Sequence, residues 1–322
     1  MTVKTGSSVA IALGLTFAAG FATVVGGMVI FSKRLVHLAN PISLAIALSI
    51  SAGVMMFISL VEMFGESVEL FTKGVRTESM PDDTASGHGW VLATTCFGIG
   101  IALIYIIDYV AHKISPELEA TEIDNLENLR RSMTQAHDDD AKIKSPVDYV
   151  ESQTPKDDTE VEPKCKHQLN RMGVLTAVAI GIHNIPEGIA TYVGSSHGSK
   201  VGYSLAVGIG LHNIPEGIAV AAPIYFATGS RWRGIVWCVI SALAEPLGGI
   251  LAWLAIGDGM NPITEGTLFG LVCGIMVCIC IKELYPTAYK FARDRTHLVA
   301  LGSFIGMFIM VTSLTLFAYA GA

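Results

Sequence analysis

Eight apolar runs constrain this chain more than any other feature of its sequence. A helix needs about 20 apolar residues to cross the hydrocarbon core of a bilayer. The runs that approach or reach that length are Ser8–Phe31, Pro41–Val61, Trp90–Val110, Gly173–Val193, Val201–Ala222, Ile235–Ile256, Gly266–Ile281 and Leu298–Ala320. Only 15% of the residues are charged, where a soluble domain carries about 25%. The sequence therefore predicts an all-α integral membrane protein with eight transmembrane helices.

The placement of Lys and Arg predicts how the helices are oriented. Cytoplasmic loops of membrane proteins carry an excess of these residues. With the N-terminus outside, the short inner loops hold seven Lys or Arg and the outer segments hold four. This excess on the inner side favours extracytoplasmic termini. The membrane itself is predicted to be a plasma membrane, a bacterial inner membrane or an endomembrane.

One polar segment, residues 112–170, separates the third run from the fourth. It holds fourteen Asp or Glu against eight Lys or Arg, and such a composition is typical of disorder. We predict a single transmembrane domain interrupted by this cytosolic, largely disordered linker. The rest of the chain is nearly neutral, so charge gives no sign of a nucleic-acid partner. The six cysteines form no CxxC pair, which favours neither a disulfide framework nor a zinc finger.

A polar motif occurs twice inside these apolar runs. The stretch Gly181–Ala190 reads GIHNIPEGIA, and Gly210–Ala219 reads GLHNIPEGIA, a shift of 29 residues. Ionisable residues at membrane depth are costly and by default indicate a functional site. The alternative, two kinked helices held together by polar hydrogen bonds, explains less, because such bonds contribute only about 0.6 kcal/mol on average in one membrane protein.

The spacing within each motif indicates a metal site. His and Glu are four residues apart and share a helix face, while Asn is three residues before Glu. Each Glu therefore has an imidazole on one side and an amide on the other. Imidazole and carboxylate together suit Zn²⁺, Fe²⁺ and Mn²⁺. Facing helices would bring together two adjacent cation sites made of His183, Asn184, Glu187, His212, Asn213 and Glu216.

Proline and glycine in the motifs support a cavity. Pro186 and Pro215 each free a backbone carbonyl one turn earlier, and irregular backbone at membrane depth is tolerated where it lines a cavity. The adjacent Gly188 and Gly217 allow close helix approach.

Further ligands are predicted on other runs. Glu245 lies beside Pro and Gly in SALAEPLGG and is a natural additional ligand. Met55 and Met276 offer soft thioether sulfurs, although methionine in an apolar helix usually packs.

A second repeat links the second and seventh runs. Residues 51–62 match residues 272–283 at a shift of 221, which aligns Glu62 with Glu283. The predicted topology runs these two helices in opposite directions. We therefore predict a 3+2+3 arrangement, in which helices 1–3 and 6–8 form an inverted repeat around the central pair 4–5.

The two HNIPEG motifs, with SALAEPLGG and SAGVM, resemble the ZIP (Zrt-/Irt-like protein) divalent metal transporter family, and its ZupT-type branch of zinc uptake permeases in particular. The resemblance implies eight helices, extracytoplasmic termini and a cytosolic loop between helices 3 and 4. It also implies import of divalent metal through a binuclear intramembrane site, with no prosthetic group and no enzymatic activity.

Carried onto this chain, the resemblance divides the ligands between two metals that share the bridging carboxylates of Glu187 and Glu216. The first metal takes those two residues with Met55, His183 and His212. The second takes them with Asn184, Asn213 and Glu245. Glu62, Glu283 and Met276 are predicted along the pathway, with Glu62 at the outer mouth and Glu283 at the inner exit.

The predicted function is secondary transport of Zn²⁺ first, with Fe²⁺, Mn²⁺ and Cd²⁺, into the cytosol across a lipid bilayer. The alternatives are an intramembrane metal-dependent hydrolase and a metal-sensing receptor. The hydrolase would call for HExxH, whereas the motif here is HxxxE. The sequence leaves a homodimer open.

Overall fold

The computed structural model describes residues 6–32, 41–114, 161–196, 200–256 and 261–320. Within these ranges all regular secondary structure is helical, which confirms the all-α prediction. We number eight helices in chain order, joining stretches that follow one another with at most one intervening residue. They are α1 (Gly6–Gly27, extended by the 3₁₀ turn Met28–Phe31), α2 (Pro41–Phe57, Ile58–Met63 and Phe64–Val75), α3 (Asp82–Ile114), α4 (Val161–Ser195), α5 (Lys200–Thr228), α6 (Arg231–Ala242 and Ala244–Ile256), α7 (Pro262–Ile279, Cys280–Leu284 and Tyr285–Ala292) and α8 (Thr296–Ala320).

Each helix contains the whole of one of the eight predicted apolar runs. In the described residues, seven helices are long and apolar enough to span a membrane: α1, α2, α3, α5, α6, α7 and α8. The helix outside this set, α4, carries the first HNIPEG motif.

Helices α2, α3, α4 and α7 extend well beyond their apolar runs. The stretch Phe64–Val75 continues α2 beyond the run that ends at Val61, with buried Ser67, Leu70 and Phe71 on one face. Polar residues end the apolar run there but do not break the helix. A prediction from hydropathy alone therefore placed the end of α2 too early.

The predicted linker 112–170 lies mostly outside the described residues, at 115–160. Its two ends are helical, because α3 continues to Ile114 and α4 begins at Val161.

Two helices contain a π-helical stretch at matching places. The stretch in α2 is Ile58–Met63 and the stretch in α7 is Cys280–Leu284. At the shift of 221 seen in the sequence, residues 59–63 correspond to 280–284. Glu62 and Glu283 therefore lie in equivalent local structures. Such π-bulges are frequent at functional sites.

Proline interrupts α6 beside a predicted ligand. Pro246 has no N–H to donate to the carbonyl of Ala242, and its ring crowds that carbonyl. The helix accordingly breaks at Leu243 and resumes at Ala244. Glu245 thus stands in the first turn of a new stretch, fully buried.

The helices pack in related pairs around the central α4–α5 contact. Helix α1 packs on α5 as α6 packs on α4, and α2 packs on α8 as α7 packs on α3. In addition α2 contacts α5, and α7 contacts α4. These pairings put both HNIPEG motifs in the interior of the bundle.

Candidate metal centre

The two central helices bring three ligand atoms together. Glu187 of α4 and His212 and Glu216 of α5 each offer one such atom, and these atoms lie within 4.8 Å of one another. All three side chains are buried. Two carboxylates and an imidazole at this spacing are a donor set typical of borderline divalent cations.

His212 joins the two helices. Its Nε2 lies 3.0 Å from Glu187 Oε1, and its Nδ1 lies 3.2 Å from the carbonyl oxygen of Gly208, to which it can donate. A backbone partner on one ring nitrogen fixes the imidazole and leaves the other nitrogen for a metal. The sequence predicted an imidazole for Glu187 from its own helix, four residues away. In the structure the imidazole comes from the neighbouring helix, because α4 and α5 pack closely enough for their polar faces to meet.

His183 has a different partner from the one its spacing indicated. Its Nε2 lies 3.1 Å from Glu283 Oε2 of α7, and Glu283 is about one-third exposed. The shared helix face puts His183 one turn from Glu187. The π stretch of α7 supplies the carboxylate that the imidazole contacts. The structure thus joins a predicted pathway residue to the first motif.

The two asparagines are held by backbone carbonyls of the outer helices. Asn213 Nδ2 donates to the Ala19 carbonyl of α1 at 3.0 Å and to Glu245 Oε2 at 2.8 Å. Asn184 Nδ2 donates to the Ser241 carbonyl of α6 at 3.3 Å. With the amide nitrogens occupied, both side chains present their oxygens as acceptors.

Five buried oxygens of this centre have no hydrogen-bond partner among the described residues. They are Asn184 Oδ1, Glu187 Oε2, Asn213 Oδ1, Glu216 Oε2 and Glu245 Oε1. Leaving a buried polar atom unpaired costs about 1–3 kcal/mol. All five atoms are acceptors, so one cation among them would offset several of these costs together. The five residues are the set predicted for the second metal.

Met55 lies at the level of the histidine. Ser51 of α2 donates to the His212 carbonyl at 3.2 Å, and Ile58 contacts Gly208 of α5. Met55 lies between these two contacts, one turn after Ser51 on the same helix face. It is fully buried, as is Met276 in α7, and both belong to one apolar cluster.

Glu62 lies farther from the centre than its repeat partner does. Its Oε2 accepts from Ser204 Oγ of α5 at 3.4 Å, two turns before His212. Glu283 instead contacts a histidine of the motif itself. The two equivalent π stretches are therefore in different environments.

The motif glycines are contact points, as predicted. Gly188 meets the Glu245 carbonyl and Gly217 meets the Thr23 carbonyl, with no space for a side chain at either position. Because Gly188 and Gly217 directly follow Glu187 and Glu216, this packing sets how close α6 and α1 come to the carboxylates.

Helix α1 contributes to this centre, although no motif in its sequence predicts such a role. Ala19 holds Asn213, and Gly20 lies against Glu245. A carbonyl and a glycine in an apolar run carry no signal of their own. A third repeat, between α1 and α6, could have indicated this role. At a shift of 222, Ala22 matches Ala244, and Gly26-Gly27 matches Gly248-Gly249.

Known proteins resemble the chain over nearly its whole length. A family model described as "ZIP Zinc transporter" matches residues 6–313. The "Zinc transporter ZupT" of Streptococcus mutans is 38% identical over 303 residues, covering 94% of this chain and 96% of the relative. The protein of the same name from Chlorobaculum parvum is 36% identical over 311 residues, covering 96% and 98%. That from Clostridium perfringens is 35% identical over 314 residues, covering 97% of each.

Proposed function

The chain belongs to the ZIP zinc transporter family, and from this membership and the buried centre we propose that it carries divalent metal ions, Zn²⁺ first, across a membrane. It is a multi-pass membrane protein and a transporter rather than an enzyme. One observation carries the proposal: Glu187, His212 and Glu216 converge within 4.8 Å in the interior of the bundle. Buried carboxylates at membrane depth are costly unless paired or bound to a cation.

The proposed substrate site has two positions that share Glu187 and Glu216. His183, His212 and Met55 would complete the first position, which offers nitrogen and sulfur. Asn184, Asn213 and Glu245 would complete the second, which offers oxygen alone. Each of its five residues has a buried oxygen without a hydrogen-bond partner among the described residues, and this supports the second position.

The two carboxylates of the π stretches would line the route to and from this site. Glu283 contacts His183 and is partly exposed, so it can pass an ion between the site and one side of the membrane. Glu62 contacts Ser204 two turns from the site and would serve the other side. With extracytoplasmic termini, Glu62 faces the outer mouth, Glu283 faces the cytosol, and net movement is import.

The 3+2+3 inverted repeat would supply the conformational change. Its support lies in the related helix pairings and in the matched π stretches of α2 and α7. Repeat halves that exchange conformations around a fixed site give alternating access. Assembly as a homodimer remains a prediction.

The mixed donor set predicts a broad metal range. Imidazole and carboxylate ligands accept Zn²⁺, Fe²⁺, Mn²⁺ and Cd²⁺, and selection among them depends on ligand number and cavity shape. Competitive uptake, with Zn²⁺ challenged by each of the other three, measures the order of preference.

Metal uptake into proteoliposomes tests the proposal. We expect the substitutions Glu187→Gln and Glu216→Gln each to reduce Zn²⁺ uptake by at least about tenfold, because each removes a charged ligand shared by both positions. Glu69→Gln is the matched control, since Glu69 is exposed and pairs with Lys73 on the surface of α2. Uptake at the wild-type rate in both substituted proteins would refute the assignment.

A further inference from the structure

Thr23 of α1 has a buried hydroxyl that nothing in the described residues uses. The side chain is fully buried, and its Oγ1 has no hydrogen-bond partner there. A threonine inside a helix ordinarily bonds to the carbonyl four residues earlier. Thr16 bonds in this way to Ala12 at 2.9 Å, and Thr191 to Glu187 at 2.9 Å.

The reason for this exception lies in the centre itself. The carbonyl four residues before Thr23 belongs to Ala19, and it accepts from Asn213 Nδ2 at 3.0 Å. The amide that presents its oxygen to the metal position therefore occupies the usual partner of the threonine. The Thr23 hydroxyl is left free beside the same residues.

Two contacts place Thr23 beside the proposed second metal position. Its own carbonyl meets Gly217, the residue after Glu216. One turn earlier on the same face, a Cβ placed on Gly20 would lie 3.1 Å from Glu245 Oε2. Helical side chains lean toward the N-terminus and cover the preceding turn. The Thr23 side chain therefore extends over the turn that faces the Glu245 carboxylate.

The internal repeat places Thr23 opposite Glu245. Asn213 bonds to the Ala19 carbonyl as Asn184 bonds to the Ser241 carbonyl. At the same shifts, 29 for the central helices and 222 for the outer ones, the contact of Gly217 with the Thr23 carbonyl matches the contact of Gly188 with the Glu245 carbonyl. Thr23 thus occupies on α1 the place that an acidic ligand occupies on α6.

We propose that the Thr23 hydroxyl oxygen completes the coordination shell of the second metal, on the ion or on a water bound to it. The position then has an acid from α6 on one side and a neutral hydroxyl from α1 on the other. A further neutral oxygen favours harder cations such as Mn²⁺ over Cd²⁺. This inference rests on the proposed two-metal function and names an additional residue that sets its specificity.

The test compares Thr23→Val, which keeps the shape and removes the hydroxyl, with Thr23→Ser, which keeps the hydroxyl. Equilibrium binding of Mn²⁺ and Cd²⁺ to the purified, detergent-solubilised full-length protein is measured by titration calorimetry. We expect Thr23→Val to weaken the second binding event by roughly tenfold, and more for Mn²⁺ than for Cd²⁺. Thr23→Ser should remain within about threefold of wild type. Thr16→Val is the matched control on the same helix and should bind as wild type does.

Thermal unfolding of the metal-free protein separates this role from a structural one. Replacing an unpaired buried hydroxyl by an apolar group is neutral or stabilising, so metal-free Thr23→Val should unfold at the wild-type temperature or above. Added Zn²⁺ should then raise that temperature less than it does in wild type. Destabilised metal-free Thr23→Val, or unchanged binding of both metals, would overturn the proposal.

Failure of this inference and failure of the transport proposal give different results. If Thr23→Val binds normally while Glu187→Gln loses uptake, the hydroxyl has no role and the two-metal function stands. If Glu187→Gln also retains wild-type binding and uptake, the metal centre itself is misassigned.

Discussion

The carboxylates of this centre differ in their burial and in the residues that they contact. Glu187 and Glu216 are buried and converge on His212, whereas Glu283 is partly exposed and pairs with His183. We expect a buried carboxylate that both proposed metal positions share to determine whether an ion binds at all. We expect a carboxylate at the margin of the centre to determine how quickly the ion arrives or leaves.

This distinction predicts the behaviour of Glu283→Gln. Glu283 is about one-third exposed in its 3.1 Å pair with His183, and pairs that water reaches typically contribute about 0.2–1 kcal/mol. Equilibrium Zn²⁺ affinity should therefore change by less than about fivefold. The uptake rate should fall by a larger factor, because the exit loses its charge. Initial uptake rates and calorimetric titration on the same preparation check both parts, with Glu69→Gln as the control. A loss of affinity as large as that of Glu187→Gln would place Glu283 among the ligands instead.

At the level of helices, the related pairs make contact at equivalent glycines. Gly100 of α3 lies against the Leu271 carbonyl and Ile275 of α7, and Gly306 of α8 lies against the Ile50 carbonyl and Val54 of α2. Residues 271 and 275 are the partners of 50 and 54 at the shift of 221. Two distant helix pairs therefore use the same contact.

Alanine at these glycines should cost similar stability. Neither Gly100 nor Gly306 has space for a Cβ, and overpacking costs about 1–3 kcal/mol. We expect Gly100→Ala and Gly306→Ala to lower the thermal unfolding temperature of the purified protein by comparable amounts.

The control for this comparison lies in the same helix as Gly100. Gly98 has no atom within 4 Å of an added Cβ, and alanine is the better helix former by about 0.5–1 kcal/mol in soluble proteins. Gly98→Ala should unfold at the wild-type temperature or above. Equal losses in all three variants would contradict packing as the cause.

At the scale of the whole molecule, the charge bias predicts which loops face out. The connection between α2 and α3 should be extracytoplasmic, and the connection between α5 and α6 should be cytosolic. Glu78 and Arg233 are exposed residues at these two places. Their side chains are suitable for replacement because neither lies in the metal centre.

Cysteine labelling tests this orientation. A membrane-impermeant maleimide added to intact cells should modify Glu78→Cys and spare Arg233→Cys until the membrane is opened. Five native cysteines are buried, and Cys165 is replaced by Ser in the background. Labelling of Arg233→Cys alone would reverse the topology, and with it the assignment of Glu62 and Glu283 to the two sides.

Much of the centre was predictable because its signals are local. His, Asn, Pro and Glu recur inside apolar runs, and helical spacing alone puts them on neighbouring faces. The role of α1 was much harder to predict. Thr23 and the Ala19 carbonyl reach the centre only through contact with Gly217 and Asn213, about 190 positions later in the chain.

The sequence by itself determined that the described part of this chain forms eight helices and that two of them carry a duplicated polar motif, since hydropathy and periodicity depend only on near neighbours. Tertiary structure decided which carboxylate each of the two motif histidines contacts. His212 meets Glu187 across two helices, and His183 meets Glu283 of a third. Those choices depend on how closely helices pack, and contacts such as Gly217 against Thr23 set that distance. The residue pattern within a single helix does not predict this distance between helices.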